Sequence, residues 1–182
     1  MSTGRLAKVL IERGHKVVGL EIDEEAAMSA RMNGCEVVFG DAEKFAQLGF
    51  EKESFDAVLC LDVLEHTRDP KRVLESIKPV IRSDGIIVCS LPNVANIRIR
   101  INLAMGRWEY REIGILDKTH LRFFSISSAR TLIESAGYQI AYEEHTPWVP
   151  FMCNGNSRLA KKIVEAFPGL FAVQTIIIAS KL

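Results

Sequence analysis

Apolar positions change period along this chain, and the change marks out its elements. Leu6, Val9 and Leu10 recur at helical spacing, with Gly14 placed to end the helix. Residues 17–22 form an apolar strand that ends in acids. Asp23 then caps a second helix reaching about residue 33, with Glu24 and Glu25 suited to its positive end and Gly34 stopping it. A short strand follows at 35–39. Residues 55–61 are a continuous apolar run, as a strand covered on both faces requires. The next helix spans about 70–80 and closes at Ser83, Asp84 and Gly85, before a buried strand at 86–91. Such alternation predicts an α/β fold with a doubly wound, mostly parallel sheet.

The second half has a different texture. Residues 92–118 are rich in Asn, Arg and aromatic side chains and contain no clean strand. A helix starting at Ser127 places Leu132, Ile133 and Ala136 on one face and closes at Gly137. A strand at 138–143, a helix at 157–166 and a β-rich strand at 171–180 follow. This closing unit predicts an antiparallel C-terminal edge strand. With no repeat or linker, the chain reads as one domain over 1–182, with 93–124 as a lid or insertion.

Composition narrows the function. A chain of 182 residues that is 48% hydrophobic suits one domain with a sizeable core. Its 23 basic and 23 acidic residues cancel, so no overall field favours nucleic acid or an anionic membrane. Cys35, Cys60, Cys89 and Cys153 lie far apart, mostly in or beside apolar strands, and read as buried thiols of a cytoplasmic protein. A zinc site would need clustered Cys or His, so no metal is expected. No basic-then-apolar leader opens the sequence, and the apolar stretch at 167–180 is interrupted by Pro168 and Gly169. No membrane insertion is expected.

Candidate chemistry is sparse. Gly4 stands before the first helix, as the last glycine of an anion-cradling loop would. Glu21 tips a strand, where a carboxylate can accept from ribose hydroxyls, although Glu21 and Asp23 are equally suited to capping. Asp41 follows a glycine in a position common for turns. Glu65 and His66 fall where a helix should begin and read as a solvated or capping pair. Asp117 and His120 are three apart, close enough for a carboxylate to raise the imidazole's basicity and fix its tautomer. Trp108, Tyr110, Phe123 and Phe124 either wall a pocket or anchor the connector. Arg98, Arg100, Arg107, Arg111, Lys118 and Arg122 outnumber the nearby acids, which suits a phosphate, carboxylate or nucleotide-sugar, or else a solvated helix face.

Taken in order, these motifs resemble the class I S-adenosylmethionine-dependent methyltransferases. The matching stretches are Thr3-Gly4 before a helix, Glu21-Ile22, Gly40-Asp41-Ala42, Phe55-Asp56, the block Leu61-Asp62-Val63-Leu64-Glu65-His66 with Asp69-Pro70, Ser90-Leu91-Pro92-Asn93-Val94-Ala95-Asn96, and the segment from Gly114 to Phe124. The resemblance implies a Rossmann-like fold and S-adenosyl-L-methionine as cofactor. It implies cofactor contacts from Gly4, Glu21, Ile22, Asp41, Ala42 and Leu61, and a small-molecule or saccharide-linked acceptor. His120 and Asp117 are the candidate catalytic pair, without a metal. Methyl transfer asks little of side chains, because the sulfonium is already activated and the protein must chiefly align the acceptor.

The family's first strand, and the glycines before Gly4, have no counterpart in this sequence. Truncation of a normal member is the expected reason. The strands at 17–22 and 55–61 would then pair directly or be covered in a homo-oligomer. Two rival readings remain: a non-catalytic methyltransferase-like fragment associating through strand edges, and a dinucleotide-binding oxidoreductase.

Overall fold

A computed structural model describes residues 4–147 and 158–182; Met1, Ser2 and Thr3, Cys153 and the expected helix start at Ser157 lie outside the described residues. The chain divides into two compact units, Met1–Phe50 and Glu51–Leu182.

In the first unit, α1 (Arg5–Glu12) starts at Gly4, whose φ of 74° belongs to the left-handed region. A Cβ on Gly4 would stand 2.9 Å from the Cα of Ala30, so glycine is required both by the backbone and by the close approach of α2 (Glu24–Met32). Asp23 caps α2 as expected, its Oδ1 accepting from the Ala26 amide at 2.8 Å. The strands β1 (Val18–Glu21) and β2 (Glu36–Phe39) pair in parallel, in register from Val18 opposite Glu36 to Glu21 opposite Phe39. Their core is made of small side chains, Ala7, Ala27, Ala30, Cys35 and Val37, with Ile11 and Val17 packed against it. Small side chains bring the helices close to the strands.

The second unit is built on a four-stranded sheet ordered β3 (Phe55–Leu61), β4 (Ile81–Pro92), β6 (Ala172–Lys181), β5 (Tyr138–Pro147). β3 and β4 are parallel, with Cys60 opposite Cys89. β6 runs antiparallel to both β4 and β5. The C-terminal strand is antiparallel, as expected, but lies inside the sheet rather than at its border. The reason is burial: no residue of β6 is fully exposed, and such a strand needs neighbours on both sides. β5 takes the border and shows the half-exposed pattern that position tolerates.

Several boundaries differ from the sequence pattern. β4 begins at Ile81 instead of residue 86, because Phe55 pairs with Ile81 and Ala57 with Ile86 across a bulge. A side chain at Gly85 would meet the Asp56 carbonyl at 2.9 Å, so glycine lets the bulge close. α5 (Ile126–Ser135) is capped by Ser125 in a reciprocal box with Ser128, which leaves Ile126 in the core. α3 (Pro70–Ile77) is capped by Asp69, with Oδ1 accepting from Arg72 N at 3.0 Å. Within 93–124 lies an unforeseen helix, α4 (Ile97–Ala104). The remaining helices are α6 (Arg158–Ala166) and the short α7 (Pro168–Phe171).

The sheets are separate: among the described residues β1 pairs with β2 alone and β3 with β4 alone. No described helix is long and apolar enough to cross a membrane.

Candidate active site

At the carboxyl end of β1, Glu21 is only 8% exposed. Its Oε1 accepts from the amides of Ile22 at 2.9 Å and Asp23 at 3.1 Å, because the chain turns at the strand tip and presents both N–H groups to it. Gly40 donates its amide to the Glu21 carbonyl at 2.9 Å, which holds the end of β2 against the end of β1. Asp41 follows at once, its Oδ1 accepting from Glu43 N at 2.9 Å and capping the 3₁₀ turn Ala42–Gln47. Ile22 is 62% exposed and Ala42 half-buried. The fold thus gathers Glu21, Ile22, Asp41 and Ala42 at one end of one strand pair. Gly4 is accounted for by its contact with Ala30, and Leu61 ends β3 in the other unit, half-buried.

Beyond the end of β3, the chain makes a 3₁₀ turn at Leu64–His66, held by Thr67 Oγ1 donating to the Leu64 carbonyl at 2.8 Å. The turn does not leave Glu65 solvated, as the sequence pattern led one to expect. Glu65 is 1% exposed, and neither carboxylate oxygen has a hydrogen-bond partner. Burial above all, with the Asp62 and Asp117 carboxylates adding to it against an opposing contribution from its own amide, pushes its pKa up to about 7. The Glu65 carbonyl accepts from Leu121 N at 2.8 Å and Arg122 N at 3.0 Å, so the turn is stitched to the segment bearing His120.

Asp117 and His120 do not form the expected carboxylate–imidazole pair. Asp117 Oδ1 accepts from the Thr119 amide at 2.8 Å and hydroxyl at 2.6 Å, and both contacts hold its pKa below the usual range. Three-residue spacing here closes a local turn on Thr119 instead of reaching the ring. His120 Nδ1 lies 3.1 Å from the Ile115 carbonyl, while burial, ahead of other influences, lowers its pKa. The His66 and His120 rings meet edge to face, with centroids 4.8 Å apart. One donor atom from each of Glu65, His66 and His120 lies within 4.8 Å of the others. Sequence reading took Glu65 and His66 for a solvated or capping pair; burial of an acid beside an imidazole was the missing observation, and no local pattern carries it.

The segment 93–124 sits where β3 and β4 end. Asn93 pairs with Phe124, and Val94 N donates to the Phe124 carbonyl at 2.8 Å. Two buried asparagines anchor it: Asn93 Nδ2 and Asn96 Nδ2 each donate to the Ala172 carbonyl at 2.9 Å. Trp108 meets Phe123 edge to face at 5.5 Å, with Tyr110 and His120 flanking the same ring, whereas Phe124 is buried as an anchor. A cavity of about 210 Å³ is lined by Arg98, Arg107, Arg111, Glu109, Ile115 and Leu116, among others. The Ile115 at its wall is the residue that holds His120.

Residues 1–89 match a family model described as a methyltransferase domain. A ubiquinone biosynthesis O-methyltransferase of Stutzerimonas stutzeri is 29% identical over 94 residues, which cover 50% of this chain and 40% of that protein. The match thus spans well under half the length of that relative. Among solved structures, a SAM-dependent methyltransferase of Thermotoga maritima, described as a possible histamine N-methyltransferase, superposes with a TM-score of 0.69 at 20% identity, covering 100% of this chain and 78% of the other. The magnesium protoporphyrin IX methyltransferase of Synechocystis, with bound S-adenosylhomocysteine, gives 0.66 at 17% identity, covering 100% and 71%. Over residues 1–89, just under half of its length, the chain is thus similar to a methyltransferase domain, and its fold is that of solved SAM-dependent methyltransferases. S-adenosylmethionine is the cofactor that this likeness implies.

Proposed function

We propose that this protein transfers the methyl group of S-adenosylmethionine to a hydroxyl of a small-molecule or saccharide-linked acceptor. The observation that carries the reading is the joining of Glu21 and Asp41 at one strand end through the Gly40 amide, within the stretch that matches the family. In this reading Glu21 accepts from the ribose hydroxyls, with Ile22 against the adenine. Asp41 accepts from the adenine amino group, and Gly4 and Ala42 add further contacts. The units belong to one catalytic domain over 1–182, with 93–124 as the lid on the acceptor side.

Chemically, an acceptor oxygen attacks the methyl carbon as the carbon–sulfur bond breaks. The electron pair stays on sulfur, giving S-adenosylhomocysteine and a methyl ether, and the hydroxyl proton leaves to solvent. His120 works on the acceptor side through its free nitrogen. Arg98, Arg107 and Arg111 at the cavity favour an acceptor that carries an anionic group. The O-methyltransferase name of the relatives supports an oxygen acceptor. In this reading the protein acts in the cytoplasm, as a homo-oligomer and without nucleic acid.

Isothermal titration with S-adenosylhomocysteine tests the reading. Stoichiometric binding that weakens in Glu21→Ala and Asp41→Ala supports it. Absence of binding overturns it in favour of the non-catalytic fragment, and binding of a nicotinamide dinucleotide in its place would favour the oxidoreductase.

A further inference from the structure

The Glu65, His66 and His120 cluster has properties that a proton-transfer pair does not need. His66 Nδ1 faces the Thr119 carbonyl at 3.2 Å, and His120 Nδ1 faces the Ile115 carbonyl at 3.1 Å. A carbonyl can only accept, so each Nδ1 carries the proton and each Nε2 keeps its lone pair. The Thr119 hydroxyl, 3.1 Å from His66 Nδ1, agrees, because its own proton goes to Asp117 and leaves it an acceptor. One ring nitrogen of each imidazole lies within 4.8 Å of a buried carboxylate with two unpartnered oxygens, and each ring keeps one lone pair to offer.

A carboxylate that is itself 1% exposed and unpaired is costly to ionise, and a cation beside it offsets that cost as a proton otherwise does. Among the described residues no basic side chain bonds to it: Arg122, the nearest in sequence to His120, is turned to the Arg68 carbonyl, with Nε at 3.1 Å and Nη2 at 2.6 Å. The nearby charges, Asp62 and Asp117, are negative. The backbone bonds from Leu121 and Arg122 to the Glu65 carbonyl fix the two ligand-bearing segments against each other, as a preformed site requires.

We propose that Glu65, His66 and His120 bind a divalent first-row transition-metal cation of the zinc type through one carboxylate oxygen and two Nε2 atoms. Two imidazoles with one carboxylate are a donor set suited to zinc, and three protein ligands leave positions open for an incoming oxygen. The backbone carbonyls on both Nδ1 atoms are the outer partners that orient metal-bound imidazoles. Metal–ligand bonds of about 2.1 Å place tetrahedral donors roughly 3.4 Å apart, so the side chains draw together by about an ångström on the ion. Deepening the methyl-transfer reading and resting on it for the cation's role, we assign the open position to the acceptor hydroxyl. Coordination there stabilises the deprotonated oxygen, whose proton goes to solvent.

The full chain, stripped with a chelator, is titrated calorimetrically with zinc, manganese and magnesium ions in the absence of cofactor. One zinc ion per chain should bind, manganese more weakly and magnesium weakest. Glu65→Gln, His66→Gln and His120→Gln should each weaken zinc at least tenfold, with circular dichroism unchanged. If Glu65→Gln fails to fold, the partly exposed histidine variants decide. Absence of zinc binding, or binding undiminished in the histidine variants, overturns the site. Titration of the same stripped protein with S-adenosylhomocysteine separates the two ideas. Cofactor binding without zinc binding defeats the metal site and leaves methyl transfer standing; zinc binding without cofactor binding does the reverse.

Discussion

The amide of Gly40 donates to the carbonyl of Glu21 at 2.9 Å, and this bond puts Asp41 beside the tip of β1. Two acids that are distant in sequence thereby share one end of a parallel strand pair. If both hold the nucleoside, removing either carboxylate deletes bonds involving an ionised acceptor. Glu21→Ala and Asp41→Ala should then each weaken S-adenosylhomocysteine about tenfold to a hundredfold by calorimetry. Unchanged affinity for Glu21→Ala would show that its place is only to cap the turn at Ile22 and Asp23.

Asn93 and Asn96 converge on the single carbonyl of Ala172, and both are almost wholly buried. Alanine at Asn93 or Asn96 removes one of the two donors to that carbonyl and strips the Ala95 or the Arg98 amide of its side-chain acceptor. We expect a loss of about 1–3 kcal/mol in urea denaturation for each. Because each single variant leaves the shared carbonyl one donor and the double variant leaves it none, the double variant should lose more than the sum of the single losses. Strict additivity would mean that they act on separate parts of the fold.

Glu65 makes stability depend on pH in the sense opposite to that of a salt-bridged acid. Its folded-state value of about 7 lies above the ordinary 4.5, so the folded chain keeps a proton that the unfolded chain gives up. The contribution is complete below pH 4.5 and is lost as pH rises through 7, by at most about 3 kcal/mol. In metal-free protein, Glu65→Gln should gain on the natural chain as pH rises from 5 to 8 in denaturant titrations. A difference that stays constant across that range would place Glu65 in water.

Among the described residues β3 pairs with β4 alone, and Leu59 on it is 42% exposed. An unpaired apolar strand is adhesive. Sedimentation should find a dimer or larger species, and Leu59→Lys should shift it towards monomer. A natural chain that is already monomeric at high concentration would show that this edge is not used for association.

Local patterns determined much of the protein. Asp23 and Asp69 cap their helices because a short carboxylate before a helical run satisfies free amides, wherever that run sits in the fold. The apolar runs at β3 and β4 are strands as their pattern predicts, although β3 leaves Asp56, Ala57 and Leu59 exposed where a cover on both faces was expected, and Glu21 lies at the end of its strand because the apolar run ends there. Tertiary structure decided the rest. β6 lies between β4 and β5 because pairing on both sides depends on long-range contacts, which no local period encodes. Glu65 looks solvated in the sequence and becomes a buried ligand candidate only when the amides of Leu121 and Arg122 fold over its carbonyl. The same closure brings His120 to His66, and Asp117 turns to Thr119 because the nearest amide and hydroxyl outcompete a ring that is already held by Ile115.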